Sequence, residues 1–342
     1  MLFAPGTQFH LPELTRSIPV KIHPRAAECE AESEQWVRAM LGAALVTEQK
    51  MEEILEERGS HWACLGFPTA TGRRMTPLCD LSQFLFAFDS DFTNRMGSRG
   101  ELDRAKDTFT RIFGIMAGAT PAPAMAYEIA FHDVWRRIAE VMNPPQRKRF
   151  VDACTAYLNA QLLEVAARER DEIFDFETYM EIHRDSIATR PYCVQIEYGL
   201  EIDLSEIIEE PPLKLVHRHT SEHFVLVNDL FSFPLECAAD DYVNAVAVFC
   251  AGDGMPLQAA INRLCALIDQ AEANFIRARA ELLASSLGGY PGLRAYVDAL
   301  GLMMSGSLHW SYFTTRYHGP GFVWNGATSG LVTLYPDHVT FE

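Results

Sequence analysis

Apolar residues recur at three- and four-residue spacing along most of this 342-residue chain, and that period commits the backbone to helices. A strand would need strict alternation, because its side chains point to opposite faces in turn. The helical period runs through residues 101–117, 125–142, 146–169, 172–187, 213–236, 240–250, 256–285, 291–299 and 301–317. Turn formers stand between these segments: "GFPTATGRRMTP", "ATPAPA", "NPP", "EEPP", "AGDGMP" and "GGYPG". Alternation is confined to "FVWNG" and "LVTLY" near the end of the chain. No repeat, low-complexity segment or composition shift marks a linker. The expectation is an all-α chain with one domain over residues 26–320, a proline-rich extended arm at 1–25 and a tail at 321–342.

Hydrophobic residues make up 48% and charged residues 22%, which supplies a large core. A formal net charge of −17 argues against nucleic acid as a partner, since phosphate backbones are held by basic surface. An anionic small substrate stays open, provided metal ions or arginines neutralise it locally. The eight cysteines form no CxxC pair. That spacing is expected of reduced, buried thiols in a cytoplasmic protein, not of a disulfide framework or a zinc site. The opening "MLFAPGTQFHLPELTRSIPVK" lacks a basic start followed by an apolar run, so no signal peptide is expected. No apolar run is long enough to span a bilayer.

Two polar stretches interrupt this apolar pattern. In "NDLFSFPLE", Asn228, Ser232 and Glu236 are four residues apart and share one helix stripe. An amide, a hydroxyl and a carboxylate are hard oxygen donors of the kind Mg²⁺ accepts. A solvated polar face or local capping would use the same residues. In "DLSQFLFAFDSDFTNR", Asp80 and Gln83 resemble a capping box and predict a helix start at Asp80. Asp89 and Asp91 then fall near that helix's C-terminal end, where carboxylates oppose the macrodipole and repel each other. A bound cation would offset both costs. A solvated acidic helix end and the Asp-x-Asp motif of glycosyltransferases are the other readings. The second needs a sheet of alternating strands and helices, which this chain lacks.

Taken in order, "FAFDSD", "NDLFSFPLE" and "LHWSYFTTRY" resemble a class I terpene synthase of the microbial single-domain type, fungal or bacterial. The family pattern N-[DE]-x-x-S-x-x-x-E is met by Asn228, Asp229, Ser232 and Glu236. Trp310 stands six positions before the Arg316-Tyr317 pair. "YMEIHRDSIATRPY" resembles the family's diphosphate-sensing segment, with Arg184 as sensor and Ala188 as the position whose backbone carbonyl aids ionisation. "IHPRAAECEAESEQW" resembles the entry into the first long helix, and the likeness spans roughly residues 10 to 320. The resemblance implies a single helical bundle around a central active-site cavity. It implies a sesquiterpene synthase that ionises farnesyl diphosphate, releases pyrophosphate and cyclises the carbocation. It also implies three Mg²⁺ ions, with Mn²⁺ as a substitute. Asp89 is their ligand on one side, and Asn228, Ser232 and Glu236 on the other. Arg184, Arg316 and Tyr317 then bind the diphosphate, with Trp310 beside the cation. A cytoplasmic enzyme with no membrane span is expected, and a homodimer is compatible.

Several positions depart from the family pattern. Ser90 and Thr93 stand where further acidic residues are usual, and Asp91 lies about 200° around the helix from Asp89. Leu235 replaces a lysine that reaches the diphosphate in relatives. Pro234 falls inside the motif helix, where a proline costs roughly 3 kcal/mol. A kink near Ser232 is expected, with the helix continuing to Glu236. Acyclic terpene alcohols of the nerolidol or linalool type are the alternative products. A chain-elongating prenyltransferase would need a second aspartate-rich motif. A non-catalytic helical binding protein would have no need of the metal and arginine motifs.

Overall fold

The computed structural model describes residues 3–45, 47–95, 102–123, 125–239, 241–334 and 339–341, the segments 91–95 and 339–341 by their backbone alone. Fourteen α-helices follow one another among the described residues. The first group is α1 (Ala26–Leu45), α2 (Glu48–Glu56), α3 (Gly59–Gly66), α4 (Met75–Arg95), α5 (Leu102–Met116) and α6 (Ala126–Ala139). Next come α7 (Pro144–Glu169), α8 (Phe176–Ser186), α9 (Thr189–Leu200) and α10 (Pro211–Ala238). The last are α11 (Ala245–Ala247), α12 (Leu257–Ala284), α13 (Leu293–Ser311) and α14 (Thr315–His318).

Local chemistry sets several of these starts. Asn143 caps α7 by accepting from the Gln146 amide at 2.8 Å, and two prolines fill the first turn, where a missing N–H leaves nothing unpaired. Asp175 caps α8 through the Thr178 amide at 3.0 Å. The predicted capping box at Asp80 does not form, because α4 begins five residues earlier, at Met75. Pro77 is accommodated there in the first turn. Asp80 lies inside α4, buried, and accepts from Arg137 Nη1 at 2.8 Å. The long helix expected at 240–250 is reduced to α11 and one wide turn at Val248–Gly252. The segments at 291–299 and 301–317 join into α13, followed after Ser311 by the separate short α14.

Helix α10 packs on α8, α9, α12 and α13, while α4 packs on α1, α3 and α6. Helix α13 approaches α3 so closely that a Cβ on Gly306 would lie 2.4 Å from the Leu65 carbonyl oxygen. Helix α10 continues through Pro234 to Ala238, as its motif requires.

The ends of the chain pair with each other. Strands β1 (Gln8–Leu11), β2 (Gly330–Leu334) and β3 (Val339–Phe341) form one antiparallel sheet in that order. The register sets Gln8 opposite Thr333 and Leu11 opposite Gly330. "LVTLY" thus supplies most of a strand, whereas "FVWNG" supplies none. Phe9, Leu11 and Val332 share a small hollow with Leu230, Phe231 and Pro234 of α10. The proline ring therefore meets the sheet and adds apolar surface to that seam. No helix among the described residues is long and apolar enough to cross a membrane.

Candidate active site

Helices α3, α4, α7, α8, α9, α10, α13 and α14 surround a cavity of about 140 Å³. Aromatic residues form much of its wall. Phe86 stacks on Trp310 with ring centres 5.1 Å apart, and Trp62 lies 4.7 Å from Tyr192. Tyr317 meets Trp310 edge-on at 5.6 Å. Such faces exclude water and attract a cation through their π-electrons. Leu85 also lines the wall.

Asp89 stands on this wall and receives a hydrogen bond from Arg316 Nη2. The other terminal nitrogen, Nη1, reaches Ser90 Oγ at 2.6 Å and Glu57 Oε2 at 3.2 Å. Burial opposes the charge on Arg316, but Glu57 and Asp89 outweigh it and raise its pKa further. Burial raises the Glu57 pKa, against the pull of Arg316. The side chain of Asp91 lies outside the described residues.

From α10, Asn228 and Glu236 reach the same cavity. Asn228 Nδ2 donates to the Tyr317 hydroxyl at 2.8 Å, which leaves its carbonyl oxygen for another partner. Burial pushes the Tyr317 pKa up to about 12. Glu236 is pushed up to about 8, by burial first and then by repulsion from Asp241 and Asp229. Asn244 Nδ2 donates to Glu236 Oε2 at 2.8 Å. Ser232 Oγ is buried with no hydrogen-bond partner. An orphaned hydroxyl one turn from a crowded carboxylate is a donor set that a hard cation fits. No group of three His, Cys, Asp or Glu forms a metal cluster among the described residues, and this set draws instead on an amide, a hydroxyl and one carboxylate. Asp229 turns away from the stripe. It accepts from Tyr179 at 2.7 and 2.8 Å and from the Ala245 amide at 3.1 Å.

The sensing segment departs from the expectation. Arg184 does not reach the cavity. It stands 3.6 Å from Glu222 and lines a separate hollow of about 680 Å³, with Arg149, Arg190 and Lys214. There Arg149 pairs with Glu197, Arg190 with Asp185 and Lys214 with Glu209. The neighbouring residue, His183, lines the cavity. Successive helical residues point about 100° apart, and here the turn of α8 sets His183 on the cavity side and Arg184 on the side of the second hollow. His183 Nδ1 is 2.7 Å from Glu164 Oε1. Its Nε2 is 3.3 Å from Asp229 and makes no hydrogen bond. Burial alone would lower its pKa, but Glu164 and Asp229 override it and raise the value well above the ordinary range. Ala188 lines the cavity as the residue before α9, with φ of 61°, a left-handed conformation rare for alanine. Sequence reasoning missed Glu57, Glu164, His183 and Asn244, whose partners lie up to 259 residues away.

The profile described as "Terpene synthase family 2, C-terminal metal binding" matches residues 80–274, more than half of the chain. Pristinol synthase of Streptomyces pristinaespiralis is 27% identical over 94% of this chain and 91% of its own. A (3S,6E)-nerolidol synthase of Selaginella moellendorffii is 28% identical, covering 92% and 85%. Among solved structures, the linalool/nerolidol synthase of Streptomyces clavuligerus shares the fold, with a TM-score of 0.75 at 23% identity over 88% of this chain and all of its own. With its aromatic cavity and polar helix stripe joined to a family match of that extent, the chain belongs to terpene synthase family 2, the enzymes that the motifs of its two acidic helices resemble.

Proposed function

We propose that this terpene synthase ionises farnesyl diphosphate with Mg²⁺ and cyclises the carbocation to a sesquiterpene hydrocarbon or alcohol. One observation carries this reading: Asp89 and Arg316 meet Asn228 and Glu236 in a single cavity with aromatic walls. When bound, the divalent ions supply positive charge against the departing diphosphate. Asp89 would hold ions on the α4 side. Asn228, Ser232 and Glu236 would hold one on the α10 side, three ions in all on the family pattern, with Mn²⁺ as a substitute. Arg316 and Tyr317 would donate to diphosphate oxygens, the planar guanidinium fork suiting bidentate contact. The place of His183 on the cavity wall, where Arg184 is missing, supports giving it the role that the resemblance assigns to Arg184. Ala188 would present its backbone to the reacting end of the substrate. Trp310 and Phe86 would face the cation and keep water from it.

Two features favour a second product class, an acyclic tertiary alcohol. Leu235 removes a family lysine, and a relative at 28% identity is named a nerolidol synthase. A looser grip on the diphosphate would let the cation be quenched before ring closure. Side-by-side incubation with C10, C15 and C20 diphosphates and Mg²⁺ tests both readings. The expected result is the highest kcat/KM for C15, cyclic volatile products and released pyrophosphate. A preference for C10 or C20 would overturn the substrate. A wholly acyclic C15 profile would overturn cyclisation and leave ionisation intact.

A further inference from the structure

The turn between α2 and α3 is joined to the C-terminal segment from Trp310 to Arg316 by three hydrogen bonds, and the sequence motifs account for none of them. Glu57 Oε2 accepts from Arg316 Nη1 at 3.2 Å. The Glu57 carbonyl accepts from Thr314 Oγ1 at 2.8 Å. The Arg58 carbonyl accepts from Trp310 Nε1 at 3.2 Å, and Arg58 holds a left-handed φ of 57° to present it. The Glu57 side chain is only 12% exposed, so this contact is not a loose surface pair.

Arg316 divides its two terminal nitrogens between two carboxylates: Nη2 bonds Asp89, and Nη1 faces Glu57 and Ser90. The partners differ in what happens to them during binding. On the reading above, Asp89 is claimed by metal ions, which leaves Nη2 without its carboxylate. Glu57 lies behind the cavity wall, and its remaining partner is the Ser90 hydroxyl, which donates to Oε1 at 3.4 Å, so binding in the cavity leaves its hold on Arg316 in place. We propose that Glu57 is the positioning residue for Arg316: it anchors Nη1 in both states, so that loss of the Asp89 bond turns Nη2 to the diphosphate instead of releasing the side chain. A long guanidinium held at one edge loses less rotamer freedom on binding than a free one.

This inference rests on Arg316 contacting the diphosphate, and the test separates the two. Inorganic pyrophosphate with Mg²⁺ is titrated calorimetrically into the parent, Glu57→Gln, Arg316→Gln and the double variant, with thermal melts to verify folding. Glu57→Gln is expected to weaken pyrophosphate binding about tenfold in the parent and to change it less than about twofold beside Arg316→Gln, the mark of coupling through one residue. Sign is a second criterion. Removing a carboxylate near an anion site strengthens anion binding if charge alone matters, whereas loss of positioning weakens it. Unchanged or tighter binding in Glu57→Gln overturns the proposal, and so does an equal loss in both backgrounds. If Arg316→Gln alone leaves pyrophosphate binding intact, the diphosphate role of Arg316 falls, and this inference with it.

Discussion

His183 and Arg184 are adjacent cations, and the fold gives them unlike surroundings. His183 is buried between Glu164 and Asp229, while Arg184 faces a hollow whose other cations are already paired. Replacing Arg184 with lysine should therefore leave kcat within about threefold of the parent, as for a partly exposed ion pair. On the proposed role, His183→Gln should lower kcat by about a hundredfold or more, because a buried cation would be lost from the diphosphate site. Steady-state kinetics on the pair decides the assignment, and the reverse order would sink it. The sequence could not make this choice, since a motif with cations at two consecutive positions does not reveal which one the helix turns inward. Asp80 teaches the same lesson. Its spacing to Gln83 suits a cap, yet burial raises its pKa to about 6 against the opposing pull of Arg137. An unfolded aspartate titrates near 4. Between about pH 4 and 6 the folded chain thus holds a proton that the unfolded chain has lost, and stability falls as pH rises through that window. Asp80→Asn should remove this slope, on the order of 3 kcal/mol across the window. Denaturant midpoints for parent and variant at several pH values measure the difference.

Two elements bring the oxygen donors into the cavity, and each can be tested on its own helix. Asp89→Asn on α4 and Asn228→Ala on α10 should each reduce turnover by about two to three orders of magnitude, the scale of lost transition-state charge stabilisation. Glu236→Gln should do the same, and should raise the melting temperature of the metal-free protein only above about pH 8, where the parent's Glu236 carries a charge that Asp241 and Asp229 repel. Ser232→Ala should be milder, about tenfold, where water takes the place of the hydroxyl. Near-parental turnover in both Asp89→Asn and Glu236→Gln would remove the metal assignment. At this scale the sequence was most legible. Apolar period located α5, α7, α10 and α12 within a few residues, since each buries apolar residues at helical spacing along its whole length. It failed at 240–250, where a wide turn interrupts the helix, and at α14, where Thr314 starts a new helix by capping the Arg316 amide. Those breaks answer to local hydrogen bonds that the apolar pattern does not record.

Across the whole molecule, the cavity draws on segments from Trp62 to Tyr317, so shielding a cation from water calls for coordinated movement of its rim. Adding Mg²⁺ and pyrophosphate together should slow amide exchange at 184–192, at the end of α4 and after Tyr317 by about tenfold or more, with little change in α12. An exchange pattern indifferent to both ligands would contradict closure. The sheet that backs α10 gives the molecule a mechanical property of its own. In the antiparallel register, the entering end of β1 at Gln8 lies beside the leaving end of β2 at Thr333. Tension between the chain entering at Gln8 and the chain leaving β3 at Phe341 would first peel β3 from β2 and then open the β1–β2 ladder from Gln8 and Thr333 like a zipper, rather than shear it as a block. As that ladder parts, Phe9, Leu11 and Val332 would leave Pro234, and the helix of Asn228, Ser232 and Glu236 would lose the apolar surface at its back.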